Sequence, residues 1–266
     1  MTAGKEYLQS DTQKYEVAQL NLIAGKRALK AFQFNSAALH FSSGVQLLPN
    51  KCWEQQYDLS LNIHNCAISA SYAVGDSDQL RKLLTKTLAK ANVFNDRLNA
   101  YQYRIMSLKS SGLAFEAVSE SLFVIGELGE RLPSQQLANE ALVASEFMHV
   151  KNILMNHSDN DVFCLHVMND SHKISTMGHL RMLISSSANV QPNLGAIAIF
   201  RMVQISLEWG LCDESAFSFA MYGAFLCKTQ DYEEAYRYGK VALKLMERLS
   251  LGTQDRVRIL RSSPSL

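Results

Sequence analysis

Residues 217–245, FSFAMYGAFLCKTQDYEEAYRYGKVALKL, repeat the skeleton of residues 19–47, QLNLIAGKRALKAFQFNSAALHFSSGVQL. In the earlier stretch Asn21, Ala24, Gly25 and Ala28 are followed, after a polar break, by Ala37, Phe41 and Gly44. In the later one Phe219, Tyr222, Gly223 and Leu226 are followed by Ala235, Gly239 and Ala242 at the same spacings. Residues three and four apart share a face of a helix. Small side chains there let two antiparallel helices approach closely while an aromatic ring fills the neighbouring gap. Each stretch is therefore predicted to fold as a helical hairpin, with Gly223 facing Ala235.

Working outward, apolar residues recur at helical spacing almost throughout, as in Leu59, Ile63, Ala67 and Ala70, or Ile199, Val203 and Leu207. Strict alternation of apolar and polar residues is sustained nowhere, so no strand is predicted. Gly 13 and Pro 4 are low counts for 266 residues, which favours long helices over many sharp turns. The predicted class is all-α, an array of about eleven helices. Hairpins are expected over 14–49, 53–92, 97–133 and 215–249, with an irregular stretch at 134–210, a lead-in at 1–13 and a disordered tail at 251–266. Leu48-Pro49 and Leu132-Pro133 read as equivalent stops, because proline cannot continue the helical hydrogen-bond ladder. A cap from Ser77 or Asp78 is expected to start the helix after Gly75-Asp76.

Lys plus Arg 26 against Asp plus Glu 25 gives a net charge of +1, without the basic excess that phosphate neutralisation requires. No nucleic-acid or membrane partner is expected. Cys52, Cys66, Cys164, Cys212 and Cys227 are odd in number and scattered in apolar contexts, and read as free, mostly buried thiols. The N-terminal residues lack the apolar run of a signal peptide, and a cytoplasmic location is expected.

The spacing is that of tetratricopeptide-type hairpins, units of about 34 residues that stack into a right-handed superhelix, an α-solenoid. Beyond that, AQLNLIAGKRA, EAVSESLFVIGELGERLP, MNDSHKISTMGHLRMLISSSA and MVQISLEWGLCDESAFSFAMYGAFLCKTQDYEEAYRYGKVALKLMERL make the chain resemble one particular helical-repeat region. It follows the AAA-type ATPase module in very large signalling proteins that join a serine/threonine-kinase-like domain, an ATPase, helical repeats and often a sensor histidine kinase. The resemblance spans most of 17–249 and implies a non-catalytic interaction or regulatory module whose partner is an ATPase or kinase module of the same system.

The chain itself has no GxxxxGK[ST] loop and no HRD or DFG string, so no ATPase or kinase activity is carried over and no cofactor is expected. The alternative is a nucleotide-dependent regulator or an all-α enzyme with an unrecognised active site. His157, Cys164, His166 and His172 lack the paired spacing of a zinc site, and Asp159-Asn160-Asp161 lacks the glycine and distal glutamate of a calcium loop. Both read as ordinary helix and turn residues. Lys82, Lys86 and Lys90 form a solvated stripe. In hairpin arrays the first helix of each pair lines the concave face, so the expected partner surface runs through Lys26, Asn62, Gln102 and Phe219.

Overall fold

The computed structural model describes residues 10–262, with side chains over 10–249. Among these residues there are thirteen helices and no strand. The chain divides into two compact units, Met1–Ser111 and Gly112–Leu266.

The first unit holds α1 (Asp11–Lys30), α2 (Phe34–Leu47), α3 (Cys52–Gln55), α4 (Tyr57–Val74), α5 (Ser77–Lys90) and α6 (Phe94–Ser110). Ser10 starts α1 through a reciprocal capping box with Gln13, which satisfies two backbone donors left free at a helix start. The helix expected from Trp53 onward is broken at Gln56, whose φ of −139° and ψ of 62° are not helical. The break turns Trp53 inward, where it packs edge-on to Tyr57 at 5.9 Å and against the His64 ring at 4.9 Å. Asp76, rather than Ser77 or Asp78, caps α5 by accepting from the Gln79 amide at 3.0 Å.

Small residues set the helix spacing as predicted. A Cβ on Gly25 would stand 2.4 Å from the Phe41 ring, and one on Gly44 would stand 2.3 Å from Ile63 Cδ1. The first contact seats α1 on α2 and the second seats α2 on α4. Further on, α4 packs on α5, and α6 lies against both. The resulting core holds Ala18, Leu22, Phe41, Ile63, Ile68 and Leu83.

Four turns share one backbone device. The residue two before α2 is Phe32 (φ +57°), and the residue two before α5 is Gly75 (φ +76°). The Gln33 amide donates back to Ala28 and the Asp76 amide to Ser71, the six-to-one bond of a Schellman ending. Gly112 (φ +77°) and Gln230 (φ +63°) stand two residues before later helices in the same way.

The second unit holds α7 (Ala114–Glu127), α8 (Glu140–Met155), α9 (Asp159–Cys164), α10 (Ser171–Ser187), α11 (Pro192–Trp209), α12 (Asp213–Lys228) and α13 (Tyr232–Ser262). α6 packs within the first unit and α7 packs on α10 in the second, so the hairpin expected over 97–133 straddles the division. The helix expected from Ser134 begins only at Glu140, where the Asn139 side chain accepts from the Leu142 amide.

At the centre lies α11, which contacts α8, α10 and α12. Leu194 to Phe200 and Met202 to Ser206 are all buried, a helix apolar on every side because it is enclosed on every side. The last hairpin, α12 with α13, matches the first: a Cβ on Gly223 would stand 3.0 Å from the Ala235 carbonyl. α13 continues past the expected end at Leu249 as far as Ser262, since no proline precedes Pro264 to stop the ladder. Of the expected tail at 251–266, the side chains and residues 263–266 lie outside the described residues, as does most of the lead-in. A single parallel bridge pairs Val167 with Leu211; the Met168 amide donates to Leu211 and the Leu211 amide to His166, each at 2.8 Å.

Candidate functional site

Three of the four residues predicted to meet a partner are exposed on successive first helices of the first unit. Lys26 stands on α1, Asn62 on α4 and Gln102 on α6, and α4 contacts both α1 and α6. Asn62 donates to the Asp58 carbonyl one turn earlier at 2.9 Å. Lys26 adds positive charge there, felt by the thiol of Cys66 on α4.

Phe219, the fourth residue expected on that surface, is not part of it. It is fully buried and stacks on Tyr238 at 6.2 Å with an interplanar angle of 13°. Its position in the hairpin skeleton is an inward one, where the ring faces Tyr238 of α13. Lys82, Lys86 and Lys90 are all exposed on α5, opposite buried Leu80, Leu83 and Leu84.

The histidines and cysteines do not converge. Among the described residues no group of three or more His, Cys, Asp or Glu side chains is placed to hold a metal ion. Asp159 to Asp161 form the first turn of α9, where Ser158 and Asp161 make a capping box. All five cysteines are free, but Cys164 and Cys227 are exposed and Cys66 half-buried, so only Cys52 and Cys212 fit the expected burial. Burial pushes the Cys212 thiol above its ordinary range, despite the backbone of Glu214 and the Ser215 side chain favouring the thiolate. It is a protonated thiol rather than a ready nucleophile.

Beside Cys212 the Val167–Leu211 bridge floors a cleft of about 290 Å³, walled by Met168, Ile174 and Leu249. Arg248 closes one side, its guanidinium donating to the carbonyls of Phe163 and Leu165. Asp213 and Glu214 stand at the rim, with Glu214 paired to Arg181 at 2.7 Å. Such a cleft fits one apolar side chain next to a basic one. A second cleft of about 330 Å³ lies among α8, α10, α11 and α12, with Met221 and Phe225 in its wall and Lys228 in its lining. The bridge that builds the first cleft pairs single residues, which leaves no alternation in sequence to find it by.

The most buried charge is Glu130, just beyond α7. It accepts from Lys173 Nζ of α10 at 2.5 Å and from Arg201 Nε of α11 at 2.8 Å. Burial alone would raise its carboxyl, but the hydrogen bonds from Arg201 and Lys173 outweigh it and hold the carboxyl below the usual range. Arg201 also reaches Gln204 and Glu208, and the Lys173 ammonium sits 5.1 Å over the Trp209 ring. The cluster is neutral in sum and ties α10 and α11 to the segment that follows α7.

No family model matches the chain, and no solved structure matches it. Among curated proteins it is similar to hybrid signal transduction histidine kinase G of Dictyostelium discoideum, at 21% identity over 287 residues. That similarity takes in 97% of this chain and 8% of the relative, so the chain spans under a tenth of the length of the protein it resembles. No described helix is long and apolar enough to cross a membrane.

Proposed function

We propose that the chain is a tetratricopeptide-like helical-repeat module that binds a protein partner within a kinase or ATPase signalling system. The observation that carries this reading is the shared hairpin device of α1–α2 and α12–α13, joined to the match of nearly the whole chain to a small part of a hybrid histidine kinase. In such a module the helices do no chemistry. They hold side chains at fixed spacing along one face, and a partner segment gains affinity from a few anchors. The near-zero net charge fits local recognition rather than long-range steering. The face presented by Lys26, Asn62 and Gln102 is the partner surface, and ATPase or kinase modules are its natural ligands.

The test is affinity capture with the purified chain, the captured proteins being identified by mass spectrometry. Lys26→Glu combined with Asn62→Ala and Gln102→Ala should reduce recovery of a signalling partner by roughly tenfold or more, the loss of one or two anchors of about 1.4 kcal/mol each. Lys86→Glu on the second-helix side should leave recovery unchanged. Capture lost with Lys86→Glu and kept with the triple variant would move the site to the lysine stripe.

A further inference from the structure

The outer face of α13 exposes three large apolar side chains among charged ones, with the Lys240 ammonium 4.3 Å over the Tyr236 ring. Tyr236, Leu243 and Met246 are 67%, 59% and 54% exposed and fall on one stripe of the helix. The opposite side, with Tyr238, Val241 and Leu245, is buried toward α12. Because the two hairpins share a register, the structure also shows what covers such a face. The counterparts of Tyr236, Leu243 and Met246 in the first hairpin are Ala38, Val45 and Leu48. These three pack into the first unit's core, since α4 lies against α2.

The chain also carries a match for that seat. α4 meets α2 through Ile63, whose Cδ1 reaches the space over Gly44. With the left-handed turn residues Phe32 and Gly75 set in register, Leu20 and Ile23 of α1 take the places of Ile63 and Cys66. Ile63 is fully buried, whereas Leu20 and Ile23 are 63% and 40% exposed. Charge agrees with this placement. The chain leaves the end of α2 through α3 and returns along α4, so a helix seated on α13 in the same way brings its last turn to the start of α13. The last turn of α1 is basic, with Arg27 and Lys30, and the first turn of α13 is acidic, where Glu233 is exposed while Glu234 is paired with Arg237.

We propose that copies of this chain associate head to tail, Leu20 and Ile23 on α1 of one copy seated against Tyr236, Leu243 and Met246 on α13 of the next. The interface is heterologous: each copy gives one surface and receives on another, so chains can extend. The proposal rests on the hairpin equivalence used above, but not on the partner surface at Lys26, Asn62 and Gln102.

Leu20→Glu and Leu243→Glu each spoil one end, and both positions are exposed enough for the fold to tolerate them. Sedimentation of the full chain over about a hundredfold concentration range reads the result. The wild type should grow with concentration beyond twice the 29.8 kDa protomer, while each single variant stays at the protomer mass. An equimolar mixture of the two variants should give a dimer and nothing larger, because one intact head then meets one intact tail. A wild type that stays monomeric overturns the proposal, as does a mixture that forms no dimer. A monomeric wild type that still captures a signalling partner through Lys26 and its neighbours overturns self-association alone and leaves the module reading standing.

Discussion

His64 is the residue whose environment departs furthest from what its position suggests. It is fully buried on α4, its Nδ1 lies 2.7 Å from the Ser60 carbonyl, and its Nε2 has no partner. Burial pushes the imidazole down to about 4, against the pull of the Ser60 carbonyl and with help from the charge of Lys86. A base whose pKa is lowered by folding binds fewer protons folded than unfolded. Its contribution is therefore full above the ordinary value near 6.5 and is lost as the pH falls from there to about 4. At 1.36 kcal/mol per unit the loss totals about 3 kcal/mol. Urea unfolding followed by Trp53 fluorescence in a Trp209→Phe background should show most of this drop between neutral pH and pH 4.5, and His64→Gln should remove most of the drop. An equal pH dependence in the variant would place the titrating group elsewhere. In sequence His64 was one more helical residue, because nothing local marks the imidazole that Trp53 will cover.

At the scale of helices and turns, the residue skeleton at 19–47 and 217–245 located the first hairpin and the turn of the second to within a few residues, but not the end of α13, which runs thirteen residues beyond Leu249, because close backbone approach needs small side chains and leaves a readable spacing only where the two helices meet. The left-handed turn residue was legible at Gly75 but not at Phe32 or Gln230, which carry the same conformation without glycine. An L residue there costs about 1–2 kcal/mol, and a glycine gives back about 0.5–1 kcal/mol of that in unfolded-state freedom. Phe32 is 81% exposed, so its ring contributes little packing. Phe32→Gly and Gln230→Gly should each raise stability by about 0.5–1 kcal/mol, read as a higher urea midpoint with unchanged slope. A lower midpoint would mean that the side chain is held by something other than the turn. Phe219 was misplaced for the opposite reason: first-helix position alone does not separate the inward stripe from the open one. The break at Gln56 and the bridge at Leu211 were equally silent, one set by burial of Trp53 and the other by residues far apart in sequence.

For the whole molecule the useful fact is that each unit has its own core and its own tryptophan. Trp53 is buried in the first unit, and Trp209 lies under the Lys173 ammonium in the second. Glu130 anchors the second unit's buried ion cluster, and removing it leaves Lys173 and Arg201 half-buried without their shared anion. Breaking a buried pair from one side costs about 3–5 kcal/mol. The lower end applies here, because Arg201 keeps Glu208 and Gln204. Glu130→Ala should therefore lower the unfolding free energy reported by Trp209, in a Trp53→Phe background, by about 3 kcal/mol. In a Trp209→Phe background the Trp53 transition should move by much less, because the first core, from Ala18 to Ala100, contains none of the cluster. Equal shifts in both signals would show that the two cores melt as one cooperative body, and the stability of each hairpin array would then belong to the chain rather than to its unit.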